Sequence, residues 1–264
     1  MSLKRYIDTL ASTGKYFFTQ DEASTSLGIT KSALNSSLRR LKAKNEIASP
    51  LKGFFMIIPP EYRSLGALPP EEFIDDLMRY LNLPYYVGLQ SAAQYYGAAH
   101  QKPQSLQVIT PKARREIRIG KIKIVFITKS DAAVTSTRQF NTPRGFIRVA
   151  TPEQLAADLV TFSHQAGGIS EAYNTLSELS ESLKLDEFVQ AIQHVKKAPP
   201  LQRLGYFFDC LNMPKFALAC EIELKKHPYV RKAKIDTQSA SVGVALNEKW
   251  NLLINIDLEA ENDT

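Results

Sequence analysis

Between Thr19 and Lys44 one helix must start and stop and a second must start, all within about a dozen residues, and that punctuation constrains the fold more than any other stretch. Thr19 stands three residues before Glu22, the capping-box pattern in which each side chain satisfies a free backbone donor beside the other. Gly28 supplies the left-handed residue that closes a helix, and Thr30 is placed to cap the next one, from Lys31 to about Lys44. Upstream, Leu3, Tyr6, Ile7 and Leu10 share a face over Leu3 to Thr13, closed by Gly14. A short extended run, Tyr16-Phe17-Phe18, follows. Downstream come Asn45-Glu46-Ile47, a turn about Pro50, Lys52 and Gly53, and the apolar strand Phe54 to Ile58. Three helices, the last two joined by a tight turn and followed by a hairpin, make the order of a winged helix-turn-helix.

The third helix suggests a use for that arrangement. Leu34, Leu38 and Leu41 recur at helical spacing and point to a core, leaving Ser32, Asn35, Ser36, Arg39 and Arg40 on the opposite face. No acidic residue occurs between Lys31 and Lys44. A carboxylate there would be repelled by phosphates, so the absence suits a helix lying in the major groove of DNA. Hydroxyl and amide side chains of this size reach base edges or phosphates, and an arginine reaches either guanine or phosphate. The helix start at Thr30 and Lys31 offers backbone donors to a phosphate. Lys52 at the wing tip, with Lys4, Arg5 and Lys15 around the first helix, would add positioning contacts. The competing reading is a winged helix used for protein contacts, its cations merely solvated.

Pro59-Pro60 and Pro69-Pro70 bracket a polar stretch, so the expected division is a domain at 1–60, a linker at 61–70 and a larger domain at 71–264. Helices are expected over Glu71 to Leu81 and Gly88 to Tyr96, with Glu71, Glu72, Asp75 and Asp76 in a solvated first turn where negative charge is favoured. Leu106 to Thr110, Ile117 to Phe126 (turning at Gly120) and Phe146 to Val149 read as strands. Thr151-Pro152-Glu153-Gln154 opens a helix with a capping box. The pattern then stays helical to Lys225, with breaks at Gly167-Gly168, Pro199-Pro200 and Pro214. Short strands return over Val230 to Leu258, and a polar, frayed tail ends the chain. The fold class is α+β.

Charge is unevenly placed. Residues 1–58 hold nine Lys/Arg against four Asp/Glu, residues 59–150 thirteen against seven, and residues 151–264 eleven against sixteen. A basic front and an acidic rear suit a protein that presents one end to a polyanion. Lys112, Arg114, Arg115, Arg118, Lys121 and Lys123 form a basic segment around a hairpin. It could meet DNA, RNA or an acidic partner, or serve as a charged strand edge that blocks aggregation. Apolar runs are far too short for a membrane helix, and no signal peptide stands at the N-terminus, so a cytoplasmic protein is expected. Cys210 and Cys220 read as reduced thiols. His100, His164, His194 and His227 are scattered singly, and no metal, phosphate-loop or nucleophile motif occurs. Neither a metal, a cofactor nor catalysis is expected.

Three motifs follow the N-terminal module: YYVGLQSAAQYYG (Tyr85 to Gly97), VITPKARREIRIGKIKIVF (Val108 to Phe126) and VATPEQLAADL (Val149 to Leu159), with a weaker echo in LQRLGYFFDCL (Leu201 to Leu211). In this order the chain resembles the AbiEi antitoxins of bacterial type IV toxin–antitoxin systems. The resemblance implies a winged helix that represses its own promoter, using the exposed face of the third helix and the wing. It implies a larger domain, with the basic surface at Lys112 to Lys123, that counteracts a nucleotidyltransferase-like toxin without a stable complex. The alternative from another class is an interaction scaffold whose basic segment docks an acidic partner.

Overall fold

A computed structural model describes residues 1–99, 101, 103–240 and 243–258. His100 and the polar tail at 259–264 lie outside the described residues. The chain resolves into two compact units. The first comprises Met1–Val87, Gln104–Ala133 and Gln139–Arg148. The second comprises Gly88–Pro103, Val134–Arg138 and the chain from Val149 onward. No helix among the described residues is long and apolar enough to cross a membrane.

The first unit begins α1(Leu3–Ser12), β1(Phe17–Thr19), α2(Gln20–Leu27), α3(Lys31–Ala43), β2(Ile47–Leu51) and β3(Phe54–Ile57). Each helix start follows its local chemistry. Thr19 accepts from the Glu22 amide at 3.1 Å while the Glu22 carboxylate accepts from the Thr19 amide at 2.6 Å, so both halves of the capping box form. Thr19→Ala should therefore cost about 1 kcal/mol, read as a lowered denaturant midpoint at unchanged slope. Gly28 closes α2 at φ +64°, and only Gly28, Ile29 and Thr30 separate α2 from α3. Leu3, Tyr6, Ile7, Phe18, Leu34 and Leu38 meet in one buried cluster. The hairpin gains a third strand, because Phe17, Phe18 and Thr19 pair antiparallel with Met56, Phe55 and Phe54 in a sheet of order β1-β3-β2.

Residues 61–70 are not a free tether. Ala67 and Leu68 are buried, and the Leu65 carbonyl accepts from the Lys121 amide at 2.8 Å. Gly120 packs so closely on this segment that a Cβ there would meet the Leu65 carbonyl at 2.0 Å. The prolines stiffen a packed segment, and the compact units cross the boundaries expected at 60 and 70. Next come α4(Ile74–Tyr80), β4(Tyr86–Val87), β5(Leu106–Thr110), β6(Ile117–Ile119), β7(Ile122–Thr128), β8(Thr137–Thr142) and β9(Gly145–Ala150). The strands form a mixed sheet of order β6-β7-β5-β4-β9-β8, with β5 and β7 parallel and β6 antiparallel to β7. The sequence reading missed β8, whose residues TRQFNT present no apolar alternation.

The second unit holds α5(Leu89–Ala93), α6(Pro152–Thr161), α7(Ile169–Leu179), α8(Leu185–Ile192), α9(Ala198–Cys210) and α10(Pro214–Leu224). A small sheet of β10(Ala233–Lys234), β11(Ala245–Asn247) and β12(Leu252–Ile254) follows. Two local expectations need correction. Thr151 caps α6, but Gln154 does not close the box: its amide donates to Asp158 at 2.9 Å, and the Thr151 amide already reaches the Ser136 carbonyl at 3.4 Å. Pro199-Pro200 opens α9 instead of breaking a helix, since the first turn has no hydrogen bond for proline to remove. Phe188, Phe207, Phe208 and Trp250 are the largest fully buried side chains of this unit's core. Neither cysteine forms a disulfide among the described residues, and burial pushes the Cys220 thiol far up from its ordinary value.

Candidate nucleic-acid interface

The face of α3 opposite its leucines is fully presented to solvent. Thr30 accepts from the Ala33 amide at 3.2 Å and fixes the helix start. Lys31, Ser32, Asn35, Ser36, Arg39 and Arg40 are all exposed, while Leu34 and Leu38 are buried and Leu41 is half-buried. Lys31 pairs with Asp21 at the surface, a contact worth little against a phosphate. Among the described residues no carboxylate lies within ion-pair distance of Arg39, Arg40, Lys44 or Lys52. Lys42 leaves this face: its ammonium sits 4.9 Å from the Phe55 ring centroid, and burial lowers its pKa.

The hairpin turn comes next to this helix through one residue. Gln20 donates its backbone N–H to the Gly53 carbonyl at 2.9 Å and its side-chain amide to Asn35 Oδ1 at 2.9 Å. The amide group of Asn35 stays available to donate. The turn is only Lys52-Gly53, with Gly53 at φ +85°, where a Cβ would meet the Tyr80 hydroxyl at 2.7 Å. Tyr80 donates to the Lys52 carbonyl at 3.1 Å, leaving the Lys52 side chain exposed. The exposed face of α3 and the Lys52-Gly53 turn are thus held on one packed support.

The basic segment is less concentrated than its sequence suggests. Arg118 and Lys123 face one another across β6 and β7. Both turn to Glu116, at 2.6 and 3.6 Å, and the Arg118 hydrogen bond draws the Glu116 pKa down. Arg114 is half-buried with its guanidinium 5.9 Å from the Phe126 ring centroid. Lys112, Arg115 and Lys121 remain exposed. Since β6 is a sheet edge, the charges also discourage strand addition.

A second cluster in the first unit escaped the sequence reading. Glu72 and Asp75 are buried, not solvated. Arg144 pairs with Glu72 and lies 4.2 Å from the Tyr16 ring centroid and 5.4 Å from that of Tyr62. Asp75 accepts from Tyr85 at 3.0 Å and pairs with Arg79. Tyr16, Glu72, Asp75, Arg79 and Arg144 line a cavity of about 280 Å³ together with Lys15, Phe17 and Asp76. Burial pushes Asp76 up to about 6 from 3.8, with Arg79 opposing. The raised folded-state pKa means that the native chain holds a proton the unfolded chain releases. Its stabilisation is fully present below about pH 3.8 and is lost as the pH rises through about 6. Asp76→Asn should therefore stabilise the chain at pH 7.5 by on the order of 1 kcal/mol and change little at pH 4, measured by thermal unfolding. Destabilisation at pH 7.5 would mean that the Arg79 ion pair outweighs desolvation.

Among the described residues no group of three or more His, Cys, Asp or Glu side chains is arranged to hold a metal ion. No curated protein matches the chain's sequence. Among solved structures, the RV2827C protein from Mycobacterium tuberculosis is similar in fold, at TM-score 0.66 and 18% identity, over 95% of this chain and 90% of that one. Residues 86–210 match the family model of the AbiEi antitoxin C-terminal domain, a span that holds the second and third motifs entire and begins within the first. Over that span the chain is similar to the AbiEi antitoxin family.

Proposed function

We propose that residues 1–60 act as a winged helix-turn-helix that binds duplex DNA at the chain's own promoter and represses it. The chain from about residue 71 then carries the antitoxin activity, directed against a nucleotidyltransferase-like toxin and exerted without a stable complex. The observation behind the DNA reading is the exposed, acid-free face of α3, with Lys52 beside it on a tethered turn. Such a face meets phosphates without repulsion and offers Ser32, Asn35, Ser36 and Arg39 to base edges. Arg40, Lys52 and the helix start at Thr30 and Lys31 supply positioning contacts. The neutralising role of Glu116 weighs against Lys112 to Lys123 as a dock for an acidic protein.

Ser36→Glu is a direct test, since Ser36 is exposed and glutamate favours helix. Binding of the full chain to its upstream DNA, followed by fluorescence anisotropy, should fall at least tenfold while the circular dichroism melt is unchanged. Undiminished binding by a folded Ser36→Glu chain would refute the assignment of this face. The toxin half has a separate test. Co-expression with a nucleotidyltransferase-like toxin encoded next to this chain should restore growth; growth arrest that persists, or the absence of such a neighbouring gene, would reject it.

A further inference from the structure

The second unit carries a cation cluster that its acidic average conceals. Residues 225–234, KKHPYVRKAK, contain five of the eleven Lys/Arg of residues 151–264 and no carboxylate. Tyr229 in the middle is 82% exposed, an unusual exposure for a ring of that size. The backbone beneath is held from the core. Asn251 donates to the Val230 carbonyl at 3.1 Å, Gln202 to the Arg231 carbonyl at 3.0 Å and Arg203 to the Lys234 carbonyl at 3.0 Å. Ala233 and Lys234 continue as β10, paired with β12. With those carbonyls turned inward, Tyr229, Arg231 and Lys232 stand outward on a fixed support. Lys225 and Lys226 pair with Glu221 and Glu223. Among the described residues no carboxylate lies within ion-pair distance of Arg231 or Lys232.

We infer that Lys225–Lys234 is a binding surface for single-stranded nucleic acid, with Tyr229 stacking on a base and Arg231 and Lys232 holding the flanking phosphates. An exposed ring among unpaired cations is the pairing such surfaces use, because every base has a face to stack and every nucleotide a charge to neutralise. Protein-docking cores instead exclude charge around their aromatic anchors. Base-paired duplex hides its base faces, so this surface differs in ligand from the exposed face of α3. It lies outside the segment matched to the AbiEi domain and does not depend on the promoter-binding proposal.

The test uses the full chain with fluorescein-labelled oligouridylate and oligothymidylate of about twelve nucleotides, and a duplex of unrelated sequence and equal length. Anisotropy at stepped salt should show both single strands binding more tightly than the duplex. RNA-selective binding would also support the surface and would identify RNA as the ligand. Tyr229→Ala should weaken single-strand binding about five- to a hundredfold, and Tyr229→Phe should retain it. The pair Arg231→Gln and Lys232→Gln should reduce the logarithmic salt slope by about 1.4. Arg39→Ala with Arg40→Ala should weaken the duplex titration while the Tyr229→Ala loss on single strands persists in that background, which separates this surface from α3. Absence of single-strand binding at about 50 mM salt, the result expected of a protein-docking surface, overturns the inference. So does a Tyr229→Ala chain that binds as tightly as the parent.

Discussion

Gly205→Ala should cost the chain roughly 3 kcal/mol or more, although the same change on an open helix stabilises by about 1 kcal/mol. A Cβ at Gly205 would lie 2.2, 2.3 and 2.6 Å from three atoms of the Trp250 ring. Retreat of a flexible side chain would relieve such a clash cheaply, but Trp250 is fully buried. Its indole N–H donates to Asp209 at 2.6 Å, and its carbonyl accepts from Gln202 at 2.8 Å. Moving the ring breaks the first bond and disturbs the junction between α9 and the small sheet that carries β12. Because Trp250 is the chain's single tryptophan, its fluorescence reports the site directly during urea unfolding. Trp250→Leu in the Gly205→Ala background should recover part of the loss, giving a coupling energy of more than about 1 kcal/mol between the two positions. A stable Gly205→Ala chain with an unchanged emission maximum would show that the ring has room to slide.

The same contact shows what sequence can and cannot convey. Helix starts were legible because their partners stand three residues apart: Thr19 with Glu22, and Thr30 with Ala33. Gly28 was legible because a helix end needs a positive φ. Nothing local marks Gly205, since its reason lies 45 residues downstream in Trp250. Glu72 and Asp75 read as a solvated turn because, apart from Arg79, the groups that cover them, Arg144 and Arg148, follow some seventy residues later. Prolines were ambiguous for a related reason. At 199–200 they start a helix and around 60–70 they stiffen a packed segment, and local composition does not separate these from a break or a linker. The exposure of the α3 face was readable, because helical periodicity alone separates it from the leucines. The surface at 225–234 was lost by averaging charge over a long acidic region.

Arg39→Ala with Arg40→Ala should weaken binding to the chain's own upstream DNA roughly a hundredfold while the melting curve stays the same. Both side chains are exposed and without a carboxylate partner among the described residues, so truncation removes little from the fold. Alanine also has the higher helix propensity, by a few tenths of a kcal/mol at most. The two arginines need not act alike, and salt separates them. A residue that only neutralises phosphate lowers the logarithmic salt slope by about 0.9 for duplex DNA and weakens all sequences equally. A residue that reads guanine leaves much of the slope and costs about 1–3 kcal/mol only on the cognate site. Arg39 lies on the helix face with Ser32, Asn35 and Ser36, so Arg39→Ala should narrow the gap between promoter and unrelated DNA. Arg40, which also donates to Ser37 at 3.3 Å, should show mainly the slope change. Single variants titrated at several salt concentrations against both duplexes distinguish these outcomes. If neither variant alters affinity, slope or selectivity, α3 does not contact DNA and promoter repression by this chain must be rejected.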